Sequence, residues 1–288
     1  MTIFYRILTL CAAGTLAVSC ARRGQEEFAL RQDIVVVSRE DGSGTRGAFI
    51  DIFGIERKGA DGSRKDMTTS EAIVARLTDV VMATVANNKY AAGYISLGSL
   101  NRTVKALAID GAAASVENVQ NGSYPVSRPF YIAAKPDLSD AGRDFRAFML
   151  SAQGQEIVGK SYISIGAGAP YTSGAITGKV VVGGSSSVTP IMEKLREAYL
   201  ALNPQAEIEI QQSDSSAGLA AAMDGIYDIA MSSRELNAKE RTELSPDLLA
   251  IDGIAVIVNT QNPLDGLSKD QVRAIFTGTA AAWSDILK

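Results

Sequence analysis

The sequence predicts an α/β fold, because short β-branched runs alternate along the chain with segments of helical periodicity. The runs at 34–37, 179–182 and 254–258 are bounded by Gly, Ser or Asn, as expected of buried strands. Between Pro190 and Asn203 apolar residues recur at helical spacing, and proline is favoured in the first helical turn. Strands and helices that alternate in this way usually build a sheet with helices packed on it.

The composition indicates a globular protein without the usual catalytic groups. The 288 residues are 46% hydrophobic and 21% charged, and the formal net charge of −4 gives no broad cationic surface for nucleic acid. Histidine is absent, which excludes Ser-His-Asp and Cys-His arrangements and most zinc sites. We therefore expect no enzyme activity, no metal, no cofactor and no nucleic-acid partner, and any bound anion must be held by local geometry.

Residues 1–20 are typical of an export signal. Arg6 is followed by an apolar stretch at 7–18, which is too short to span a bilayer comfortably. Cys20 comes directly after small residues, as in a bacterial lipoprotein box, where the cysteine is lipidated. A simple secretory signal or a buried N-terminal helix is the alternative. We expect a lipoprotein signal peptide at 1–20, a tether at 21–33, and a lipid-anchored location in the cell envelope, facing the periplasm or the cell exterior.

A polar glycine turn within 38–49 follows the first strand and leads into an apolar-faced helix. Helix N-termini present unpaired N–H groups and positive partial charge, so an anion there gains hydrogen bonds and a favourable dipole. The glycines permit close approach of the backbone, and Ser, Thr and Arg side chains add donors. The segment also matches the dinucleotide pattern G-x-G-x-x-G, but four polar residues precede its first glycine, where that pattern requires a tight turn. The turn therefore predicts an anion site.

Two further serine-rich segments, 184–190 and 213–218, also precede predicted helices. For either segment alone, plain N-capping is the simpler interpretation, since a Ser or Thr cap stabilises many helices by about 1 kcal/mol. Three such helix starts in one exported chain suggest a shared oxyanion ligand.

Together with 227–235, 251–259 and 271–278, these segments resemble the phosphate-binding proteins of phosphate ABC importers, and the resemblance covers nearly all of residues 34–288. It implies a two-lobed periplasmic-binding-protein fold of type II, a monomer that holds inorganic phosphate between its lobes, and an ABC permease as partner. By the same resemblance, the phosphate-binding residues are Arg39, Asp41, Ser43, Gly44 and Thr45 in one lobe and Ser186, Ser187, Val188, Ser215 and Ser233 in the other.

Two acidic residues of the first turn are expected to differ in role. Asp41 can accept the hydrogen carried by HPO4 2− or H2PO4 −, which sulfate lacks at neutral pH, so Asp41→Asn should weaken phosphate-over-sulfate discrimination. Glu40 is expected to be solvated. Some family members carry a second acidic residue at the position of Ser233, so this chain is expected to lack one acceptor there.

The order of the segments predicts a circular permutation. In the family, the segment equivalent to 184–190 opens the mature chain and the turn with Arg39 comes in its middle, and here this order is inverted. The stretch 165–178 then joins the family's usual termini, and Lys288 should lie near Ile34, since permutation is tolerated where termini are close together.

A truncated tandem protein and a domain-swapped dimer are the alternatives to a permuted single receptor. For the permuted receptor we expect hinge crossings near 121–127 and 252–256. The expected lobes are lobe B at 34–123 plus 253–288 and lobe A at 124–252.

Three other functions stay open from the sequence alone. The chain could be a receptor for another oxyanion, or a phosphate sensor or scavenger that is not coupled to transport. A phosphohydrolase that uses Ser43 is disfavoured, because no positioned base accompanies the serine.

Overall fold

The computed structural model describes residues 28–59, 63–166 and 168–287. The strands are β1 Val35–Arg39, β2 Glu56–Lys58, β3 Arg64–Asp66, β4 Ile73–Ala75, β5 Ala91–Ser96, β6 Val104–Ala106, β7 Ala108–Ile109, β8 Ser127–Ala134, β9 Ile163–Ser164, β10 Gly178–Ser185, β11 Ala206–Ser213, β12 Ile229–Ser232, β13 Ser245–Asn259 and β14 Gly266–Leu267. The helices are α1 Gly44–Phe53, α2 Thr78–Asn87, α3 Val116–Gln120, α4 Asp140–Leu150, α5 Ala152–Val158, α6 Thr189–Leu202, α7 Ser215–Met223, α8 Ala238–Glu243, α9 Lys269–Phe276 and α10 Trp283–Ile286, with a 3-10 turn at Leu97–Ser99.

The main sheet has the strand order β11-β10-β12-β8-β13-β5-β1-β4, and β6 and β9 also pair with β13. Strand β1 runs parallel to β4 and β5, and β10 runs parallel to β11 and β12. Helices connect these parallel strands, as parallel pairing requires. The predicted α/β fold is confirmed, and so are the predicted strands and the helix after Pro190.

Strands β8 and β13 cross the middle of the sheet as an antiparallel pair. Residues 245–253 of β13 pair with β8, and residues 254–258 pair with β5. The long strand β13 therefore belongs to both halves of the sheet.

Two large hydrophobic cores flank this crossing. The first core contains buried residues from 36–126 and 254–286, including the stacked rings of Phe49 and Tyr94, whose centroids are 3.8 Å apart. The second core contains buried residues from 130–250. The chain thus passes between cores after residue 126 and again between residues 250 and 254.

The two ends of the described chain lie side by side. The Ile34 N–H donates to the Ala281 carbonyl at 2.8 Å, and the Ser284 N–H donates to the Leu30 carbonyl at 2.7 Å. Cys20 and Lys288, for which we made predictions, lie outside the described residues. Among the residues described, no helix is both long and apolar enough to cross a membrane.

The predicted linker is bound to the second core. The Tyr171 N–H donates to the side-chain oxygen of Gln153 at 2.8 Å, and the Gln153 side-chain N–H donates to the Tyr171 carbonyl at 3.0 Å. Its hydroxyl donates to Asp144 at 2.5 Å and accepts from the Asn203 amide at 2.8 Å. The segment is irregular but held in place by specific contacts.

Candidate functional site

The candidate site lies where the turns after β1 and β10 meet the N-termini of α1, α2, α6 and α7. Parallel strands bring their carboxyl ends to one edge of a sheet, and the loops there commonly carry the binding residues of α/β folds. Hydrogen bonds across this edge join residues of the two halves of the sheet. The Ser216 N–H donates to the Gly42 carbonyl at 3.3 Å, and a Cβ atom on Gly42 would lie 2.3 Å from the Asp214 carboxylate.

Arg39 is the buried cation of the site, with 2% of its surface exposed. Its Nη2 donates to the Ser186 hydroxyl at 3.0 Å, and its Nη1 donates to the Thr78 hydroxyl at 3.4 Å. The other edge of the guanidinium donates to both carboxylate oxygens of Glu40, at 2.9 and 2.7 Å. The expectation that Glu40 is solvated is wrong, because its side chain is only 15% exposed and pairs with Arg39.

Hydroxyl groups from both halves of the sheet converge beside Arg39. Thr45 and Ser187 hydrogen-bond with each other at 2.8 Å. The Thr78 hydroxyl lies 3.2 Å from that of Ser186 and 3.3 Å from that of Ser187, and the Thr78 N–H donates to Ser186 at 3.3 Å. These four side chains are fully or almost fully buried.

A second group of serines adjoins the first. Ser185 donates to the Ser233 hydroxyl at 2.9 Å, and the Ser233 N–H donates to the Ser215 hydroxyl at 3.0 Å. A Cβ atom placed on Gly44 would lie 2.7 Å from Ser233 Oγ and 2.8 Å from Ser215 Oγ. Gly44 is therefore needed for the close approach of α1 to these serines. We call both groups together the hydroxyl cluster, which consists of Thr45, Thr78, Ser185, Ser186, Ser187, Ser215 and Ser233.

Three predicted site residues are placed differently from the rest. The Asp41 side chain is 96% exposed and pairs with Arg46 at 2.7 Å, outside the hydroxyl cluster. Ser43 is buried but caps α1, accepting from the Arg46 N–H at 3.3 Å. The Val188 N–H donates to the Ser185 carbonyl at 3.0 Å. The predicted residues that the structure brings together are Arg39, Gly44, Thr45, Ser186, Ser187, Ser215 and Ser233.

Sequence reasoning missed Thr78 and Ser185. Thr78 is the first residue of α2 and offers both its N–H and its hydroxyl to the cluster. In the sequence, Thr78 stands at a helix start but lacks the neighbouring Gly and Ser residues that distinguish the other turns. Ser185 lies in the predicted segment 184–190 at the end of β10, and the sequence does not show which face of the sheet its side chain occupies.

A buried ion pair that was also missed lies next to the cluster. Arg128 Nη2 donates to Asp252 at 3.3 Å, and Nη1 donates to the Ser233 carbonyl at 3.5 Å. Burial raises the pKa of Asp252 to about 6, although the charge of Arg128 and hydrogen bonds from Ser96 and Gly98 oppose the rise. Burial lowers the pKa of Arg128 to about 10, and the nearby charge of Arg39 acts in the same direction.

The arrangement suits a small oxyanion. Each hydroxyl can rotate to donate, and a guanidinium offers a planar pair of donors to two oxygens. Within the described part of the chain, no group of three or more His, Cys, Asp or Glu side chains is arranged to hold a metal ion.

Comparison with known proteins identifies the family of the chain. The sequence profile of the PBP superfamily domain matches residues 25–153 and 169–288. The chain belongs to the PBP superfamily. The predicted periplasmic-binding-protein fold is thereby confirmed.

Relatives within the PBP superfamily align over most of the chain. Phosphate-binding protein PstS 2 of Streptococcus agalactiae is 48% identical over 258 residues, which is 88% of each protein. Phosphate-binding protein PstS 2 of Streptococcus pneumoniae is 43% identical over 290 residues, which is 98% of this chain and 99% of that protein. The predicted resemblance to phosphate-binding proteins is confirmed, and the segments have the same order in this chain and in the pneumococcal protein.

A PBP-superfamily crystal structure matches the fold. The phosphate-binding protein of a phosphate ABC transporter from Streptococcus pneumoniae superposes with a TM-score of 0.69 at 44% identity, covering 88% of this chain and 99% of that one.

Proposed function

We propose that this chain is an extracytoplasmic solute-binding protein that binds inorganic phosphate in a cleft between two lobes and delivers it to an ABC importer. The observation that carries the proposal is the hydroxyl cluster, in which buried donors from both halves of the sheet meet beside Arg39. The names of its relatives and of the matching crystal structure support phosphate as the ligand.

The charges at the site favour a ligand that is recognised by hydrogen bonds rather than by net charge. Glu40 offsets the charge of Arg39 through two hydrogen bonds, so the anion meets a nearly neutral pair surrounded by hydroxyls. Hydroxyls both donate and accept, which suits an anion that carries its own hydrogen. We propose Glu40, in place of Asp41, as the carboxylate that favours protonated phosphate over sulfate.

Binding is proposed to close two lobes built on the two cores. Arg39, Thr45 and Thr78 lie on the β1 side, while Ser186 and Ser187 follow β10, so an anion that contacts both sets stabilises the closed arrangement. The crossing strands β8 and β13 are the proposed hinge. In this scheme the protein acts by binding and release, without catalysis, and as a monomer.

We propose that this chain and the pneumococcal relative, which share one segment order, are both circular permutants within the receptor family. The two ends of the described chain lie together, and the stretch 165–178 connects β9 of one half to β10 of the other. Both halves contribute strands to one sheet, which fits a single receptor better than two incomplete ones. We also propose that Cys20 is lipidated and that an ABC permease is the partner of the protein.

Calorimetry of the purified protein with phosphate, arsenate, sulfate and molybdate tests the function. We expect one phosphate per chain and much weaker binding of sulfate. Thr78→Val should weaken phosphate binding by about tenfold or more, because it removes a buried hydroxyl that contacts Arg39, Ser186 and Ser187.

Thr84→Val on the same helix is the matched control. Among the described residues, its hydroxyl bonds only to the Val80 carbonyl one turn earlier, so phosphate affinity should not change. Absence of phosphate binding would overturn the proposal, and tighter binding of sulfate or molybdate would make the chain a receptor for that anion instead.

A further inference from the structure

Arg128 and Asp252 face each other at the crossing of the two central strands. They are register partners in the antiparallel pairing of β8 with β13. Both side chains are buried, with 3% and 1% of their surfaces exposed. Two full charges in this position are costly to desolvate, and replacing such a pair by apolar residues is often neutral or stabilising. Stability alone therefore does not account for the pair.

The contacts of the pair lead from the first half of the sheet to the hydroxyl cluster. The Ser96 hydroxyl, at the end of β5, donates to Asp252 at 2.9 Å. Asp252 accepts from Arg128, and Arg128 donates to the backbone carbonyl of Ser233. Ser233 in turn bonds to Ser185 and Ser215 through its hydroxyl and its N–H.

Contacts on several sides fix the orientation of the Arg128 guanidinium. Its cationic carbon lies 5.1 Å from the centre of the Phe130 ring, which packs against it. Among the described residues, its Nε has no hydrogen-bond partner, so the two terminal nitrogens make all of its hydrogen bonds. The side chain is thus oriented toward Asp252 on one side and Ser233 on the other.

We propose that Arg128 is a positioning residue for phosphate binding, held by Asp252 and acting through Ser233, whose backbone it fixes so that the hydroxyl and N–H of Ser233 stay within the cluster. This inference rests on the proposed function. Arg128 also places a second positive charge behind the site, near enough to Arg39 to repel it, and a bound anion relieves that repulsion.

The test removes the pair without leaving a lone buried charge. In the double variant Arg128→Met with Asp252→Asn, the Kd for phosphate should rise about tenfold or more. In a Ser233→Ala background the same double change should raise the Kd by less than about threefold, because the group through which Arg128 acts is already altered. A purely structural role would give equal factors in both backgrounds.

The pair Arg146–Asp247 supplies the matched control. It joins α4 to the same strand β13 by two hydrogen bonds, of 2.5 and 2.8 Å, and neither residue is among the hydrogen-bond partners of Ser233 in the described part of the chain. Arg146→Met with Asp247→Asn should leave the Kd within about twofold of the parent. Thermal unfolding of each variant identifies the temperature range in which all of them are folded.

The conservative variant Arg128→Lys keeps the charge but loses the fork, so its Kd should lie between those of the parent and the double variant. It also decides the question if the double variant does not fold. Parent-like affinity in whichever of these variants folds overturns the inference while leaving phosphate binding intact. A parent protein that does not bind phosphate overturns both.

Discussion

The guanidinium of Arg39 is bound on one edge by the carboxylate of Glu40, its neighbour in sequence, and on the other by the hydroxyl of Ser186 from the opposite half of the sheet. Glu40 therefore offsets the charge of Arg39, and the hydrogen bonds on both edges fix the orientation of its guanidinium. The nearly neutral pair of Arg39 and Glu40 can bind an anion through directed N–H donors, while the chain as a whole is acidic, with a net charge of −4.

Glu40→Gln should narrow the ratio of phosphate to sulfate affinity by about tenfold or more, because it removes the carboxylate acceptor that the hydrogen of protonated phosphate can satisfy and that sulfate, which has no hydrogen, cannot. Competition calorimetry measures the ratio. Asp41→Asn is the comparison, and we expect it to leave the ratio unchanged, since the Asp41 side chain is 96% exposed. The opposite result, in which only Asp41→Asn alters the ratio, would return the role to Asp41.

Gly44→Ala should weaken phosphate binding by about tenfold or more, because the added methyl collides with the hydroxyls of Ser215 and Ser233. Gly47→Ala in the same helix meets nothing within 4 Å and should raise the free energy of unfolding by about 0.5–1 kcal/mol. Calorimetry and denaturant unfolding report the two effects. Equal phosphate affinity in the two variants would contradict the close approach of α1.

Asp252 should give the stability of the protein an unusual pH dependence. Its pKa in the folded protein, about 6, lies above the ordinary value of 3.8, because burial disfavours the charged form. Between about pH 4 and pH 6 the folded protein holds a proton here that the unfolded chain has released, so this carboxyl contributes less stability as pH rises.

Relative to Asp252→Asn, the parent should therefore lose about 2 kcal/mol of unfolding free energy from pH 4 to pH 6, because one pKa unit corresponds to about 1.4 kcal/mol and the two pKa values lie at the edges of this range. Denaturant unfolding across this range measures the difference in slope. Carboxyls whose pKa is lowered, such as those of Asp66 and Glu240, oppose this trend in both proteins and cancel in the comparison. Parallel curves for the two proteins would rule out a raised pKa.

Rejoining the chain in the family's usual order tests the permutation. We expect a variant with residue 287 linked to residue 30 by a short flexible segment, and opened between Gly174 and Ala175, to fold and bind phosphate within about threefold of the parent. Opening the same rejoined chain inside α6 is the control and should prevent folding. If the first variant loses its secondary structure and does not bind phosphate, the permutation is contradicted.

Much of the fold could be predicted because it is encoded locally. The β-branched runs and the helical spacing after Pro190 reflect burial on one side of each element, and the structure has them at the predicted places. The three serine-rich turns also converge, because each follows a strand and begins a helix on the same edge of the sheet.

The remaining features depend on contacts between distant segments. The pairing of Arg128 with Asp252 requires the register of two strands more than a hundred residues apart, about which neither local sequence is informative. Thr78 joins the cluster only because α2 begins opposite β10. Which of Glu40 and Asp41 turns toward Arg39 is decided by the path of the turn, and the residue types alone are nearly equivalent.

The hydroxyls of Thr45, Ser187, Ser215 and Ser233 have no solvent-exposed surface in this arrangement, and the Gly42 turn lies against α7 above them. In the proposed scheme, a phosphate held among these buried hydroxyls is released when the halves of the sheet separate. Its departure is then a first-order event timed by that separation, and an excess of competing anion in the medium cannot hasten it.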